Sequence, residues 1–365
     1  MNEQDSMRRA IALARRGIPW TSPNPLVGAV IVKEDRVIGE GWHARCGTLH
    51  AERAALENCT ENPAGATIYV TLEPCCHHGR QPPCTDALIA AGISRVVIGS
   101  RDPNPKVAGG GVSRLREAGI TVIEDFLREE CDALNPIFFH YITTRQPYVA
   151  LKYAMTADGK LAAYTGASQW ITGDAARAHV HRLRSRYRAI LVGIGTVLAD
   201  DPRLNCRLDD GRDPIRVICD SRLQIPPDCR ICRTAHRQTT LVACCTADPE
   251  KRAALEALGI EVLVLPGADG RVDLSALLAE LGKREIDSIL VEGGSEIHGA
   301  FLSRHLAQRL YVYIGALALG GRTAKSPVGG QGAPAPADGI VLSAPDVTRF
   351  GSDLLLTYDI LKGGA

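Results

Sequence analysis

The sequence contains little that would bind nucleic acid or a membrane. Aromatic residues make up only 5% of the 365 residues, and the formal net charge is +1. A channel for single-stranded nucleic acid combines stacked aromatic side chains with strong positive charge, so this composition argues against one. No apolar run reaches the roughly 18 residues of a membrane span, and the N-terminal stretch lacks the apolar core of a signal peptide. We therefore expect a cytoplasmic protein with neither nucleic-acid nor membrane partners.

Cysteine, by contrast, is plentiful. The chain has twelve cysteines, and cytoplasmic proteins keep such residues as free thiols or use them as metal ligands rather than as disulfides.

The length suggests two domains, and a hydrophobic content of 45% allows each domain to bury a core.

Alternating strand and helix patterns organise both halves of the chain. In the first half, a hairpin pattern at residues 26–43 precedes helices and strands that take turns, which predicts a largely parallel sheet covered by helices. A boundary falls near residues 143–147, and a second series of strand and helix patterns follows it. We predict an α/β protein with domains at residues 1–145 and 146–365. The biased stretch "GGQGAPAPADG" is predicted to be an exposed loop.

Two stretches of the first half contain the residue types of a zinc site, "HAE" at 50–52 and "PCCHHGRQPPC" at 74–84. Catalytic zinc takes three His or Cys ligands and leaves one position for water, while a carboxylate that is not a ligand moves protons. His50, Cys75 and Cys84 supply three ligands, each next to the start or end of a predicted element. With Glu52 as general acid/base they match the zinc-deaminase signature, although here eight residues separate the two cysteines.

Other ligand sets are open at this stage. Cys76, His77 and His78 compete for ligation, and one of them could complete a four-ligand structural zinc site. The remaining cysteines, including "CRIC" at 229–232, lack a second ligand pair, and we expect them to be structural.

These motifs resemble those of a bifunctional riboflavin-biosynthesis family, in which a diaminohydroxyphosphoribosylaminopyrimidine deaminase is fused to a 5-amino-6-(5-phosphoribosylamino)uracil reductase. The resemblance lies in "TSPNPLVGAVIV", "TLEPCCHHGRQPPCTDALI", "DPNPKVAGGG", "KYAMTADGKLA", "VGIGTVLADDPRLNCR" and "VEGG", and covers nearly the whole chain. It implies a cytidine-deaminase-like three-layer α/β/α domain followed by a dihydrofolate-reductase-like α/β domain. It also implies hydrolytic deamination of 2,5-diamino-6-(5-phosphoribosylamino)pyrimidin-4-one to 5-amino-6-(5-phosphoribosylamino)uracil, and then NADPH reduction of the ribosyl to the ribityl side chain.

For the deaminase domain, the resemblance implies one zinc ion per chain on His50, Cys75 and Cys84, with Glu52 as the proton shuttle. Asn24 would hydrogen-bond the pyrimidine or its ribose, although an asparagine before proline is also a common turn former. Lys106 and Gly110 depart from the family pattern, in which an apolar residue and a lysine are usual at these positions. That departure puts phosphate recognition in this domain in question.

For the reductase domain, "VGIGTV" lacks the third glycine of the dinucleotide fingerprint, so a Rossmann site is not expected. The resemblance instead implies an NADPH site lined by Ala154, Trp170, Thr196, Asp200, Ser221, Gly294, Ser295, Glu296, Ile297, His298, Gly299 and Ala300. The implied substrate site is lined by Ser168, Arg184, Leu204, Arg207 and Glu292. Lys152 is a candidate for contact with the ribose or phosphate, and Arg222 for contact with the additional phosphate of NADPH.

Several residues of this half have simpler interpretations. Arg184 is equally consistent with a solvated helix face, Trp170 with core packing, and Asp200 with a turn. His179 and His181 are predicted to be surface residues. Either Glu292 or Asp200 could assist proton transfer in the reduction, and the sequence does not choose between them.

Two other functions have to be weighed against this one. A nucleic-acid base deaminase would need a basic, aromatic-lined channel, which the composition disfavours. A zinc-stabilised binding protein would not need Glu52. The sequence leaves open the oligomeric state, with a homo-oligomer among the possibilities, and whether intermediates pass between the sites.

Overall fold

The computed structural model describes residues 2–77, 82–104 and 107–361. The chain divides into two units, Met1–Arg145 and Gln146–Ala365, each with its own sheet. Of the residues discussed above, His78 and Lys106 lie outside the described residues.

Five strands form the sheet of the first unit in the order β2-β1-β3-β4-β5. Their bounds are Gly28–Lys33 (β1), Arg36–Trp42 (β2), Thr67–Leu72 (β3), Arg95–Ser100 (β4) and Thr121–Ile123 (β5). Strand β1 runs antiparallel to both β2 and β3, whereas β3, β4 and β5 are parallel. The predicted hairpin and the largely parallel sheet are both confirmed.

Six helices accompany this sheet among the described residues. They are Glu3–Ala14 (α1), Ala51–Glu57 (α2), Cys84–Ala90 (α3), Gly110–Glu117 (α4), Arg128–Asp132 (α5) and Pro136–Thr144 (α6). Helix α1 begins where the Asn2 side chain accepts the N–H of Asp5 at 2.8 Å. Its face formed by Met7, Ala10 and Ala14 is buried against the sheet at helical spacing.

Strand directions place the starts of α2 and α3 at one edge of the first sheet. Because β2 and β3 are both antiparallel to β1, they run the same way and end at the same edge. Helix α2 is the next helix after β2, and α3 is the next after β3. Side chains at the beginnings of these two helices therefore come together although they are far apart in sequence.

Nine strands form the sheet of the second unit in the order β10-β9-β8-β7-β11-β6-β12-β14-β13. They are Tyr148–Thr156 (β6), Ala189–Gly193 (β7), Ile215–Cys219 (β8), Thr240–Cys244 (β9), Ile260–Val264 (β10), Ser288–Gly293 (β11), Arg309–Gly315 (β12), Asp346–Phe350 (β13) and Asp353–Asp359 (β14). The strands from β10 to β12 pair in parallel, and their continuous apolar runs are typical of strands covered on both faces.

Six helices connect these strands among the described residues. They are Asp174–Arg186 (α7), Ile194–Asp200 (α8), Arg230–Arg233 (α9), Pro249–Ala257 (α10), Leu274–Lys283 (α11) and Ser295–Ser303 (α12). Asp248 and Asp273 cap α10 and α11 by accepting backbone N–H groups of their first turns. Leu277, Leu278 and Leu281 of α11 are buried in the larger core cluster.

Strand β13 was not predicted. Its residues lie at the end of the sheet and are exposed on both faces except at Phe350, so the alternation that marks a half-buried strand is missing. The biased stretch at 329–339 is exposed, as predicted. In the described ranges, no helix combines the length and the apolar character required to cross a bilayer.

Gly315, the last residue of β12, allows the chain near Ile171 to lie directly on the sheet. An added Cβ would lie 1.9 Å from the carbonyl oxygen of Ile171, far inside van der Waals contact. We therefore expect Gly315→Ala to displace this segment and to destabilise the second unit by about 1–3 kcal/mol. Thermal denaturation of the full chain measures the effect.

Gly195→Ala is the matched control for this substitution. Gly195 lies in α8, and an added Cβ would meet no atom within 4 Å. Alanine is also the better helix former, so this variant should be at least as stable as the parent. Equal melting temperatures for the two variants would contradict the steric explanation.

Candidate active sites

Three metal-ligating side chains meet at the edge where α2 and α3 begin. Ligand atoms of His50, Cys75 and Cys84 all lie within 4.8 Å of one another. His50 is the N-cap residue of α2, Cys84 is the first residue of α3, and Cys75 lies in the loop after β3. Nδ1 of His50 is 3.6 Å from Sγ of Cys75 and 3.3 Å from Sγ of Cys84.

The donor set and its spacing fit zinc. One imidazole and two thiols are common ligands of zinc, and tetrahedral bonds of normal length place nitrogen and sulfur about 3.6 Å apart. The start of α3 stabilises the thiolate that binding requires, since the backbone N–H of Cys84 donates to Sγ of Cys75 at 3.4 Å. The residues present therefore fit this metal, and three ligands leave a position open for water.

The protonation states suit a metal ligand and a proton carrier. A hydrogen bond from Cys84, supported by His50, outweighs burial and lowers the pKa of Cys75 to about 4. The pKa of Cys84 is raised because its thiol donates to Cys75 and is buried. Glu52 is only 3% exposed, and burial with the nearby charge of Cys75 raises its pKa to about 7.

The alternative ligands are separate from this cluster. Among the residues that the structure describes, Cys76 and His77 do not join the group of three. Gly110, one of the two departures from the family pattern, is the first residue of α4. In the second unit, Cys229 and Cys232 lie 3.5 Å apart and are buried, and no third ligand joins them within the described ranges.

His43 is a site residue that the sequence analysis missed. It follows β2, is only 3% exposed, and its ring packs edge-to-face on that of His50 with centroids 5.5 Å apart. Its Nε2 lies 3.1 Å from Nδ2 of Asn24, and its Nδ1 lies 2.9 Å from the carbonyl oxygen of Leu49. Asn24 also takes part in a turn through its N–H to Thr21, as the turn-former interpretation expects. A single histidine after a strand carries no sequence signal for this contact.

The second unit contains a cavity of about 1010 Å³ at the carboxyl ends of its parallel strands. This edge is where ligands bind in open α/β sheets. Most predicted cofactor and substrate residues line it: Lys152, Ala154, Ser168, Trp170, Arg184, Thr196, Asp200, Arg207, Ser221, Glu292, Gly294, Ser295, Glu296, Ile297, His298 and Ala300. Arg222 also lines it. Leu204 and Gly299 are not among the lining residues, because Leu204 is buried in the core and Gly299 packs on Gly329.

A buried cluster of charges lies at the floor of this cavity. Arg184 donates from Nε and Nη2 to the carboxylate of Glu292 at 2.7 and 2.9 Å, and from Nη1 to the carbonyl of Asn205 at 3.0 Å. Nζ of Lys152 lies 3.9 Å from the same carboxylate. The Arg184 side chain is 15% exposed, which excludes a solvated helix face. Two of its five N–H groups remain for a ligand.

Two sequence interpretations of aromatic and histidine residues were wrong. Trp170 is 62% exposed, so it does not pack in the core, and it stacks with the guanidinium of Arg177 at 4.4 Å. His181 is not a surface residue but lines the cavity, one turn before Arg184 on α7. His179 is half-buried, with Nδ1 2.7 Å from the hydroxyl of Tyr313. The helical periodicity of α7 did not reveal the contact of His179 with Tyr313 of β12.

Comparison with known proteins agrees with the division into two sites. Residues 1–100 match the cytidine and deoxycytidylate deaminase zinc-binding region, and residues 147–356 match the RibD C-terminal domain. Riboflavin biosynthesis protein RibD of Actinobacillus pleuropneumoniae is 51% identical over 362 residues, covering 99% of this chain and 96% of that protein. The protein of the same name from Escherichia coli is 44% identical over 333 residues, covering 88% and 89%.

Solved structures extend the comparison to the fold. RibD of Acinetobacter baumannii aligns with a TM-score of 0.88 at 38% identity, covering 98% of this chain and 99% of that one. A diaminohydroxyphosphoribosylaminopyrimidine deaminase/5-amino-6-(5-phosphoribosylamino)uracil reductase of Thermotoga maritima aligns with a TM-score of 0.85 at 38% identity, covering 98% of both chains.

A zinc-binding deaminase unit followed by a reductase unit defines a bifunctional α/β enzyme of two domains. The chain belongs to the RibD family of riboflavin-biosynthesis enzymes, which combine deaminase and reductase activities. The zinc-binding region and the reductase domain support, in general terms, a zinc ion and a nicotinamide cofactor.

The buried charge cluster predicts how stability depends on pH. Burial alone would raise the pKa of Glu292, but the charges of Arg184 and Lys152 and the hydrogen bonds from Arg184 lower it to about 2. The unfolded carboxyl has a pKa of about 4.3. Ionised Glu292 therefore contributes its full stabilisation to the folded state at pH values above the unfolded pKa of about 4.3. This stabilisation is lost as the pH falls toward the folded pKa of about 2.

We expect Glu292→Gln to lower the melting temperature most at pH 6 to 7, where Arg184 loses an ionised partner. The difference from the parent should become smaller below about pH 4, because the parent then begins to lose the same charge. Melting curves of both proteins at a series of pH values measure this. A difference that does not change with pH would contradict the assigned pKa.

Proposed function

We propose that the two units catalyse consecutive steps of riboflavin biosynthesis. The first removes ammonia hydrolytically from 2,5-diamino-6-(5-phosphoribosylamino)pyrimidin-4-one, and the second reduces the ribosyl side chain of the resulting uracil to ribityl with NADPH. The convergence of His50, Cys75 and Cys84 beside the buried Glu52 is the observation that carries the first activity. The name of the Thermotoga relative, which aligns over 98% of both chains, supports the choice of substrate.

In the deaminase unit, His50, Cys75 and Cys84 would hold one zinc ion per chain. Bound zinc lowers the pKa of water to about 7 and so supplies a nucleophile at neutral pH. Glu52 takes a proton from water and delivers it to the departing amino group, so that one water is consumed and one ammonia released. Its buried position two residues after His50 places it to carry the proton between the two halves of this transfer. Asn24 binds the substrate. Its side chain contacts the ring of His43, and that ring in turn contacts the carbonyl of Leu49, the residue before His50.

Glu52→Gln tests the proton shuttle. Glutamine has the same shape and is not among the three ligands, so zinc should remain at one per chain while ammonia release falls by at least about 100-fold. The reductase, assayed with the deaminated uracil and NADPH, should keep its rate and serves as the internal control. Ammonia release at the parental rate would remove Glu52 from the mechanism.

In the reductase unit, the cavity residues at the carboxyl ends of β7, β8 and β11 would hold the cofactor, which would supply the hydride. The starts of α8 and α12 present backbone N–H groups that can bind its pyrophosphate. Arg207 lines the cavity, is exposed, and has no acidic partner among the described residues, so it is available for the substrate phosphate. Ser168 and the two free N–H groups of Arg184 complete this contact.

Opening of the ribosylamine ring breaks the bond between C1 and the ring oxygen, moves the amine proton to that oxygen, and leaves an imine between C1 and the pyrimidine nitrogen. NADPH, when bound, would supply a hydride to C1, and a proton must reach the imine nitrogen, so that the carbon–nitrogen bond is kept in the ribityl product. Glu292 holds its proton too weakly to donate at neutral pH, since its pKa is about 2. Burial lowers the pKa of Lys152, and its ammonium faces the same cavity. We assign proton donation to Lys152, which is held in place by the carboxylate of Glu292, and Arg184 in turn positions that carboxylate.

Preference for NADPH over NADH is assigned to Arg222. This residue follows Ser221 at the end of β8, and the hydroxyl of Ser221 accepts the N–H of Val272 at 3.2 Å, so the two loops lie together. Arg271 and Arg304 also line the cavity, but each has an acidic partner, Glu296 or Asp269. Arg222 is exposed and has no ion-pair partner among the described residues.

Arg222→Gln should raise the KM for NADPH by about 10- to 100-fold, because a charged hydrogen bond to the extra phosphate is lost. The KM for NADH, which lacks that phosphate, should change less than twofold. Arg252→Gln is the control, since Arg252 lies on α10 outside the cavity and pairs with Glu256. Equal changes for both cofactors would assign Arg222 to another role.

A further inference from the structure

The imidazole of His43 makes two hydrogen bonds that together determine its protonation state. Nδ1 lies 2.9 Å from the carbonyl oxygen of Leu49. A carbonyl can only accept, so Nδ1 must carry the proton. A neutral imidazole has a single N–H, and therefore Nε2 has a lone pair and must accept. Its partner at 3.1 Å is Nδ2 of Asn24.

The rest of the environment maintains this arrangement. The ring is 3% exposed, and the amide nitrogen that faces Nε2 can only donate, so this ring nitrogen carries no proton. The backbone N–H of His43 donates to Val27 at 2.9 Å, and that of Asn24 to Thr21 at 2.7 Å. Both residues are thus fixed at the backbone as well as through their side chains, and the Asn24 amide cannot turn over without breaking the contact to Nε2.

We propose that His43 is a positioning residue of the deaminase site, which fixes the Asn24 amide so that its carbonyl oxygen, not its NH₂ group, is offered to the substrate. This inference rests on the proposed deaminase function. No described residue donates to Oδ1 of Asn24, so that oxygen is available as an acceptor. It selects a heterocycle that presents an N–H or hydroxyl donor at this position, and it rejects one that presents only an acceptor.

The same ring also connects the substrate contact to the metal ligand. Leu49, whose carbonyl accepts from His43, directly precedes His50, and the two imidazoles pack edge-to-face. Simple packing would need only the shape of this ring, and phenylalanine could supply it. Orientation of Asn24 needs the hydrogen-bonding nitrogen, and this difference separates the two roles experimentally.

The test compares His43→Phe, Asn24→Ala and the double variant as full-length, zinc-loaded proteins. Each single substitution should raise the deaminase KM by about 10-fold, as expected for one lost hydrogen bond in a desolvated site. The double variant should be no worse than Asn24→Ala, because His43 acts through Asn24. Zinc content and reductase rate should match those of the parent in all three. If the two effects multiply in the double variant, the proposed relation is wrong.

A second measurement applies even if His43→Phe fails to fold. Nitrogen NMR of the histidine-labelled parent should show His43 with the proton on Nδ1, and Asn24→Ala should shift the Nε2 resonance. A proton on Nε2 in the parent would overturn the proposal. If the parent released no ammonia from the diaminopyrimidine phosphate, the proposed deaminase function would fail instead, and the tautomer could still be determined.

Discussion

The direction of the strands is the constraint on which both sites depend. Parallel strands end at one edge of a sheet, and the helices that connect them must begin near that edge. In the first unit this brings the first residues of α2 and α3 together, and with them the three ligand atoms. In the second unit it brings the ends of β7, β8 and β11 to one cavity. The chemistry differs between the units, but the same geometric rule assembles it.

The convergence of His50, Cys75 and Cys84 could be predicted from sequence because its determinants are local. A histidine at one helix start, and two cysteines around another, already indicate the types of side chain that meet. The strand patterns of the parallel sheets were equally clear, since buried parallel strands are continuous apolar runs. Strand β13 could not be found in this way, because it lies at an edge and buries neither face.

Contacts across the sheets could not be predicted. Arg184 and Glu292 are 108 residues apart, and only the fold shows that their charges neutralise each other in a buried position. Once this ion pair is known, the low pKa of Glu292 argues against Glu292 as the proton donor in the proposed reduction. From the sequence alone, Glu292 and Asp200 were alternatives for that role. His43 and His181 show the same limit, since neither periodicity nor spacing indicates the contact of His43 with Asn24 or the position of His181 in the cavity wall.

The sequence distances within the two sites also differ, and this affects how each forms during synthesis. Within the metal cluster, His50 and Cys84 are separated by 34 positions. The ligand cavity requires β6 at the beginning of its unit and its neighbour β11, whose paired residues Tyr148 and Ser288 are 140 positions apart (288 − 148), so a long loop must close before the cavity exists. Because chains emerge from the ribosome N-terminus first, the deaminase centre can capture its ion while much of the reductase sheet is still untranslated.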